Sequence, residues 1–112
     1  MIKKSEGRHL TSTLQTVYTV PNGKRADWMM LWVSNTSGSN ASLTATYYNK
    51  ANDATLTMFD DYTITSKDFF QVGGATNEFV CMKEGDYIQL SSTHDCTAII
   101  SVYEYNDVIQ GG

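Results

Sequence analysis

Apolar and polar residues alternate with a period of two through most of this chain, in runs that are short. In ASLTATYYN, Leu43, Ala45 and Tyr47 fall on one side and Thr44, Thr46 and Tyr48 on the other, the pattern of a strand that buries one face. YIQLSS repeats it, with Ile88 and Leu90 opposing Tyr87 and Gln89. Turn formers stand between such runs: Pro21-Asn22-Gly23, NTSGSN, ANDA, Gly73-Gly74 and Lys83-Glu84-Gly85-Asp86. The remaining strand-like runs are TVYTV, ADWMMLWVSN, TLTMF and DYTIT on either side of Asp60-Asp61, KDFFQV, EFVCM and CTAIISVYEY. About eight strands at turn spacings of roughly 8–12 residues predict an all-β, two-sheet antiparallel β-sandwich or a small barrel. TSGSN reads as a hairpin joining ADWMMLWVSN to ASLTATYYN, and Gly85-Asp86 as a second hairpin. Residues 1–15 hold little beyond Leu10 and Leu14 and read as an N-terminal arm, residues 16–105 as the sandwich, and residues 106–112 as a C-terminal tail.

One run breaks the pattern. In DWMMLWV, alternation puts Trp28, Met30 and Trp32 on one side and Met29, Leu31 and Val33 on the other, so both faces are apolar. A two-layer sandwich encloses only one face of each strand. The other would be an exposed patch of a kind that monomers usually avoid. Three covers are open: the arm or the loop around Phe69-Phe70, a second subunit or a capsid, and a ligand. Tyr48 and Tyr103, turned outward on flanking strands, would extend the same patch, so the interface candidates are Trp28, Met30, Trp32, Tyr48 and Tyr103.

Composition narrows the partners. The net charge is −4 and the few Lys and Arg are scattered, so no basic stripe is available for a phosphate backbone and nucleic acid is not an expected partner. No apolar run is long enough to span a bilayer and MIKKSEGRHL lacks an apolar core, so neither a membrane nor a secretory route is expected. Synthesis in a reducing cytoplasm then favours Cys81 and Cys96 as unbridged, buried thiols, although a bridge between neighbouring strands stays geometrically open.

Candidate chemistry is sparse. Asp60-Asp61, with Asp53 and Asp68, offers oxygen ligands for calcium but no D-x-D-x-D-G loop. His9 and His94 have no sequence partners that would make a triad or a metal site. In His94-Asp95-Cys96, strand alternation turns Cys96 away from Asp95 and toward the core. The chain therefore reads as a non-enzyme without a cofactor or metal.

The order of several motifs carries a resemblance. Val20-Pro21-Asn22-Gly23-Lys24, a strand, Asn35-Thr36-Ser37-Gly38-Ser39, a second strand, then Met82-Lys83-Glu84-Gly85-Asp86 and a tail at Tyr103-Glu104-Tyr105 resemble a family of small tailed-phage virion β-sandwich domains. The likeness covers roughly residues 16–105. It implies a jelly-roll-like sandwich, as in capsid decoration (cement) proteins and in head- or tail-associated fibres and baseplate parts, commonly trimeric and without catalytic residues. The expected function is that of a capsid decoration protein. It would form a homotrimer, contact the major capsid protein or other virion proteins, and reside on the virion after synthesis in the host cytoplasm. The alternative is a receptor- or glycan-binding module of a fibre or baseplate. Members of this pattern usually place small or polar residues where Met30 and Trp32 stand here.

Overall fold

A computed structural model describes residues 2–74 and 80–106. The strands among them are β1 (Ile2–Leu10), β2 (Gln15–Thr19), β3 (Lys24–Asn35), β4 (Ala41–Asn49), β5 (Ala54–Ile64), β6 (Phe69–Gly73), β7 (Val80–Lys83), β8 (Tyr87–Ser92) and β9 (Cys96–Asn106). They form two antiparallel sheets. Sheet I has the order β1-β9-β3-β6, with β7 also paired to β3, and sheet II the order β2-β8-β4-β5.

The chain is one long antiparallel ribbon, wound up. β1 pairs with β9, β2 with β8, β3 with β6 and β7, and β4 with β5, so the pairs nest and the β4–β5 turn is the tip. Successive pairs lie in alternate sheets, which is the jelly-roll way of closing a two-sheet sandwich. β6 and β7 border β3 end to end, so the ribbon has eight strand positions, in line with the sequence pattern. The expected hairpins at NTSGSN and Gly85-Asp86 are instead crossings: β3 and β4 lie in different sheets, as do β7 and β8. The predicted break at Asp60-Asp61 is a bulge inside the single strand β5, where Asp61 takes a positive φ of 56°.

Residues expected to form an arm are part of the sandwich: Ile2–Leu10 pairs along its whole length with β9, from Ile2 opposite Glu104 to Leu10 opposite Cys96. Glu78 and Phe79 of the EFVCM run, and residues 107–112 of the expected tail, lie outside the described residues.

The core lies between the sheets. β3 contributes Ala26, Trp28, Leu31 and Val33, β9 contributes Ala98, Ile100 and Val102, and sheet II answers with Leu43, Ala45, Ile88 and Leu90. Buried polar groups fix the crossings. The Asn35 side-chain amide donates to the carbonyls of Ser39 and Ile64, each at 2.9 Å, and its oxygen accepts from the Ser37 hydroxyl at 2.7 Å. Asp86 accepts from the backbone N–H of Lys50 at 2.9 Å and of Lys83 at 3.0 Å, and from the Tyr47 hydroxyl. Glu104 accepts from Tyr18 of sheet II at 2.5 Å and from Lys4 at 3.3 Å, joining both sheets where β1 and β2 meet. Each carboxylate is removed from water yet has partners, the condition for tolerating it there.

Candidate functional site

β3 carries its two apolar faces because of a bulge. Its register against β9 slips between Trp28, opposite Val102, and Met30, opposite Ser101. Met29 is the extra residue, so Trp28 and Leu31 both point inward although they are three apart. This corrects the expected interface: Trp28 is fully buried in the core, its indole N–H donating to the Met30 carbonyl at 3.0 Å. Met30 and Trp32 stay on the outer face, half-buried, and Leu31 and Val33 take the inner face as expected.

Within the chain the outer indole has a partial cover. Phe69, at the start of edge strand β6, stacks on Trp32 with ring centroids 4.4 Å apart and planes 6° from parallel. Phe69 itself remains 53% exposed, and Ile99, directly opposite Trp32 on β9, is 38% exposed. The intramolecular cover therefore shields Trp32 by presenting another aromatic ring. The apolar strip Met30–Trp32–Phe69–Ile99 persists on the outside of sheet I.

The two tyrosines separate. Tyr103 lies on β9 in the same sheet, opposite Asp27, with the Lys3 ammonium 5.8 Å from its ring centroid. It borders an open cleft of about 560 Å³ with Lys3, Ser5, Met29, Met30 and Ser101. Tyr48 is on sheet II, so it does not extend the patch. It stacks on Tyr87 at 4.6 Å and donates to Asp53 at 2.6 Å, a hydrogen bond that raises its pKa above the usual tyrosine value.

A second aromatic group, of which the sequence reading named only Phe70, lies on the inner side of β6. Phe70 packs edge-on against Phe59 at 5.2 Å and against Tyr62 at 4.6 Å, spanning the gap between β6 of sheet I and β5 of sheet II. Tyr62 is still 46% exposed. The signal was present in KDFFQV, where adjacent aromatics on a strand must face opposite ways.

Cys96 starts β9 in the core as expected, and burial pushes its thiol pKa up. Cys81 corrects the other half of that expectation: it is exposed on β7, and no disulfide joins it to Cys96. His9 and His94 are exposed. Among the described residues no group of three or more His, Cys, Asp or Glu gathers as a metal site.

No family model and no curated protein matches the chain. Among the solved structures that do match is one from work describing Bacillus endospore appendages as a novel family of disulfide-linked pili. It superposes with a TM-score of 0.55 over 94% of this chain and 85% of that one, at 10% identity. At that identity the likeness is one of fold.

Proposed function

We propose that this chain is a non-enzymatic structural subunit of a phage particle, a capsid decoration protein that docks through the outer face of sheet I. The observation that carries the reading is the apolar strip of Met30, Trp32, Phe69 and Ile99 on the outer face of sheet I, away from the buried core. Aromatic groups of this kind anchor protein interfaces. The virion assignment rests on the motif order from Val20 to Tyr105, and the likeness to a structure from endospore appendage pili is consistent with it at the level of fold. The outer face would bind the assembled lattice in preference to the free coat subunit, so that its binding free energy adds to the stability of the shell.

The test is co-sedimentation with emptied capsids. Wild-type protein should pellet with the shells and raise their melting temperature, while Trp32→Ser/Phe69→Ser protein, folded by circular dichroism, should stay in the supernatant. Wild-type protein that leaves capsids untouched would remove the reading. The cleft beside Tyr103 favours a second one, a glycan-binding module, because a tyrosine ring with a nearby ammonium and serine hydroxyls suits a sugar carrying a carboxylate. Binding to host-cell polysaccharide that Tyr103→Ala abolishes, with no effect on capsids, would select it.

A further inference from the structure

The outer face of sheet II is paved with uncharged side chains, and docking through sheet I leaves it free. Pairing across the sheet sets Thr19, Tyr87, Tyr48 and Thr55 in one cross-strand row. The next row is Thr16, Gln89, Thr46 and Thr57. Beyond it Ser91 pairs with Thr44, and Ser42 with Thr63. These positions face outward because their strand neighbours Leu43, Ala45, Ile88 and Leu90 fill the core.

Threonine suits a strand, so the hydroxyls alone need no further reason. The lack of charge does. A soluble surface is ordinarily about a quarter to a third charged. The outer face of sheet I follows that rule, with Lys3, Arg25, Asp27 and Lys83 in its rows. On sheet II the charged groups hydrogen-bonded to the face are both carboxylates beside β5: Asp61 accepts from Ser42 at 3.0 Å and Asp53 from Tyr48 at 2.6 Å.

Two further features point to a ligand. Tyr48 and Tyr87 stack with centroids 4.6 Å apart and planes 19° from parallel, an aromatic block set among hydroxyls and partly open to solvent. At the centre of the face Thr46 is 5% exposed, and its hydroxyl oxygen is buried without a hydrogen-bond partner in the chain. An unpaired buried hydroxyl is costly, and a hydroxyl brought in beside Gln89, which lies directly opposite, would pair with it.

We infer that the outer face of sheet II binds an uncharged glycan chain. A sugar ring offers an apolar C–H face to the tyrosine pair and a rim of donors and acceptors to the Thr, Ser and Gln side chains. Charge selects among glycans, because a neutral chain meets no unpaired charge here while a polyanion meets Asp53 and Asp61. The inference goes beyond capsid docking, which uses the opposite side of the sandwich, and it uses no part of the cleft beside Tyr103. Single contacts of this kind are weak, and a repeating shell would multiply them.

Affinity electrophoresis tests it, in native gels cast with dextran, laminarin or galactomannan, and with alginate as the anionic control. Wild-type protein should be retarded by at least one of the three neutral polymers and not by alginate. Tyr48→Ala/Tyr87→Ala, folded by circular dichroism, should lose the retardation. Thr55→Lys/Thr57→Lys alters only exposed positions of β5 and puts a charge in each central row, so it should fold normally and weaken binding at least about tenfold. Thr46→Val should keep or raise the melting temperature yet weaken retardation, a combination that a purely structural role for Thr46 does not give. Wild-type protein that runs freely through all three neutral gels, or retardation that survives both double variants, would overturn the glycan face. So would loss of retardation in Tyr103→Ala, which would assign the binding to the cleft. Trp32→Ser/Phe69→Ser should be retarded like wild type, so capsid docking and glycan binding can each fail while the other stands.

Discussion

Two tryptophans four residues apart do different work, and single substitutions should show it. Trp28 has no exposed surface and fills the space between the sheets, so Trp28→Ala should cost about 3–5 kcal/mol in urea-unfolding experiments. Trp32 lies outside on Phe69, and Trp32→Ser should cost no more than about 1.5 kcal/mol, the usual value of an aromatic pair. Its larger effect should be on binding. The tyrosines predict a pH dependence of definite sign. Burial, then the hydrogen bond to Glu104, raises the Tyr18 pKa; burial, then the bond to Asp86, raises that of Tyr47. A folded-state pKa above the unfolded one means that the unfolded chain releases its proton first as the solution becomes alkaline. The stability from these two phenols is thus complete below about pH 10 and is lost as pH climbs beyond it. Tyr18→Phe/Tyr47→Phe should be less stable at neutral pH, by roughly 1.5–3 kcal/mol for each bond to a buried carboxylate. Its stability should fall less steeply between pH 10 and 12 than that of the wild type.

At the scale of the strand, what was legible depended on whether the neighbouring strand left a mark in the local sequence. β8 alternates cleanly, and β4 does so as far as Ala45, beyond which a register shift leaves Thr46 buried as well; the inward residues Leu43, Ala45, Ile88 and Leu90 were readable. β3 was misread at Trp28 because the bulge at Met29 is set by β9, some seventy residues away, and two apolar faces leave no marker of where parity changes. β1 was missed for the opposite reason. Its inward positions include Lys4, Glu6 and Arg8, charges admissible only because an edge strand lets them reach water or, for Lys4, the Glu104 carboxylate. The crossings at NTSGSN and Lys83-Glu84-Gly85-Asp86 use turn chemistry that serves a hairpin equally well, so local propensity could not say which sheet came next. The candidate site was half legible: Met30, Trp32 and Tyr103 could be placed outside sheet I, but Phe69 entered only as a cover. Removing residues 2–10 would behave as loss of a sheet edge, exposing the inner side of Ala98, Ile100 and Val102, and should lower the melting temperature by more than ten degrees. Trimming a dangling arm would leave it unchanged.

Across the whole molecule, the size of the apolar strip decides how the protein can assemble. Phe69 and Ile99 are partly exposed and Trp32 and Met30 are half-covered. Burying the rest would contribute at most roughly 1.5–3 kcal/mol per side chain. Association costs an estimated 4–15 kcal/mol in lost freedom. The surplus is small, so the strip alone gives contacts weaker than micromolar. A subunit built this way is mostly monomeric when dilute and gains hold only where several contacts form at once, as on a repeating shell. The expected outcome is a melting temperature that rises with protein concentration above the micromolar range. The same protein should bind capsids well below that range. Salt checks the apolar character of the contact, because exposed charges are screened within about 3 Å at 1 M while apolar burial is not weakened. Capsid binding through Trp32 and Phe69 should therefore hold when salt is raised from 0.05 to 1 M. Tight dimers at nanomolar concentration would mean that a larger surface than this strip is being buried.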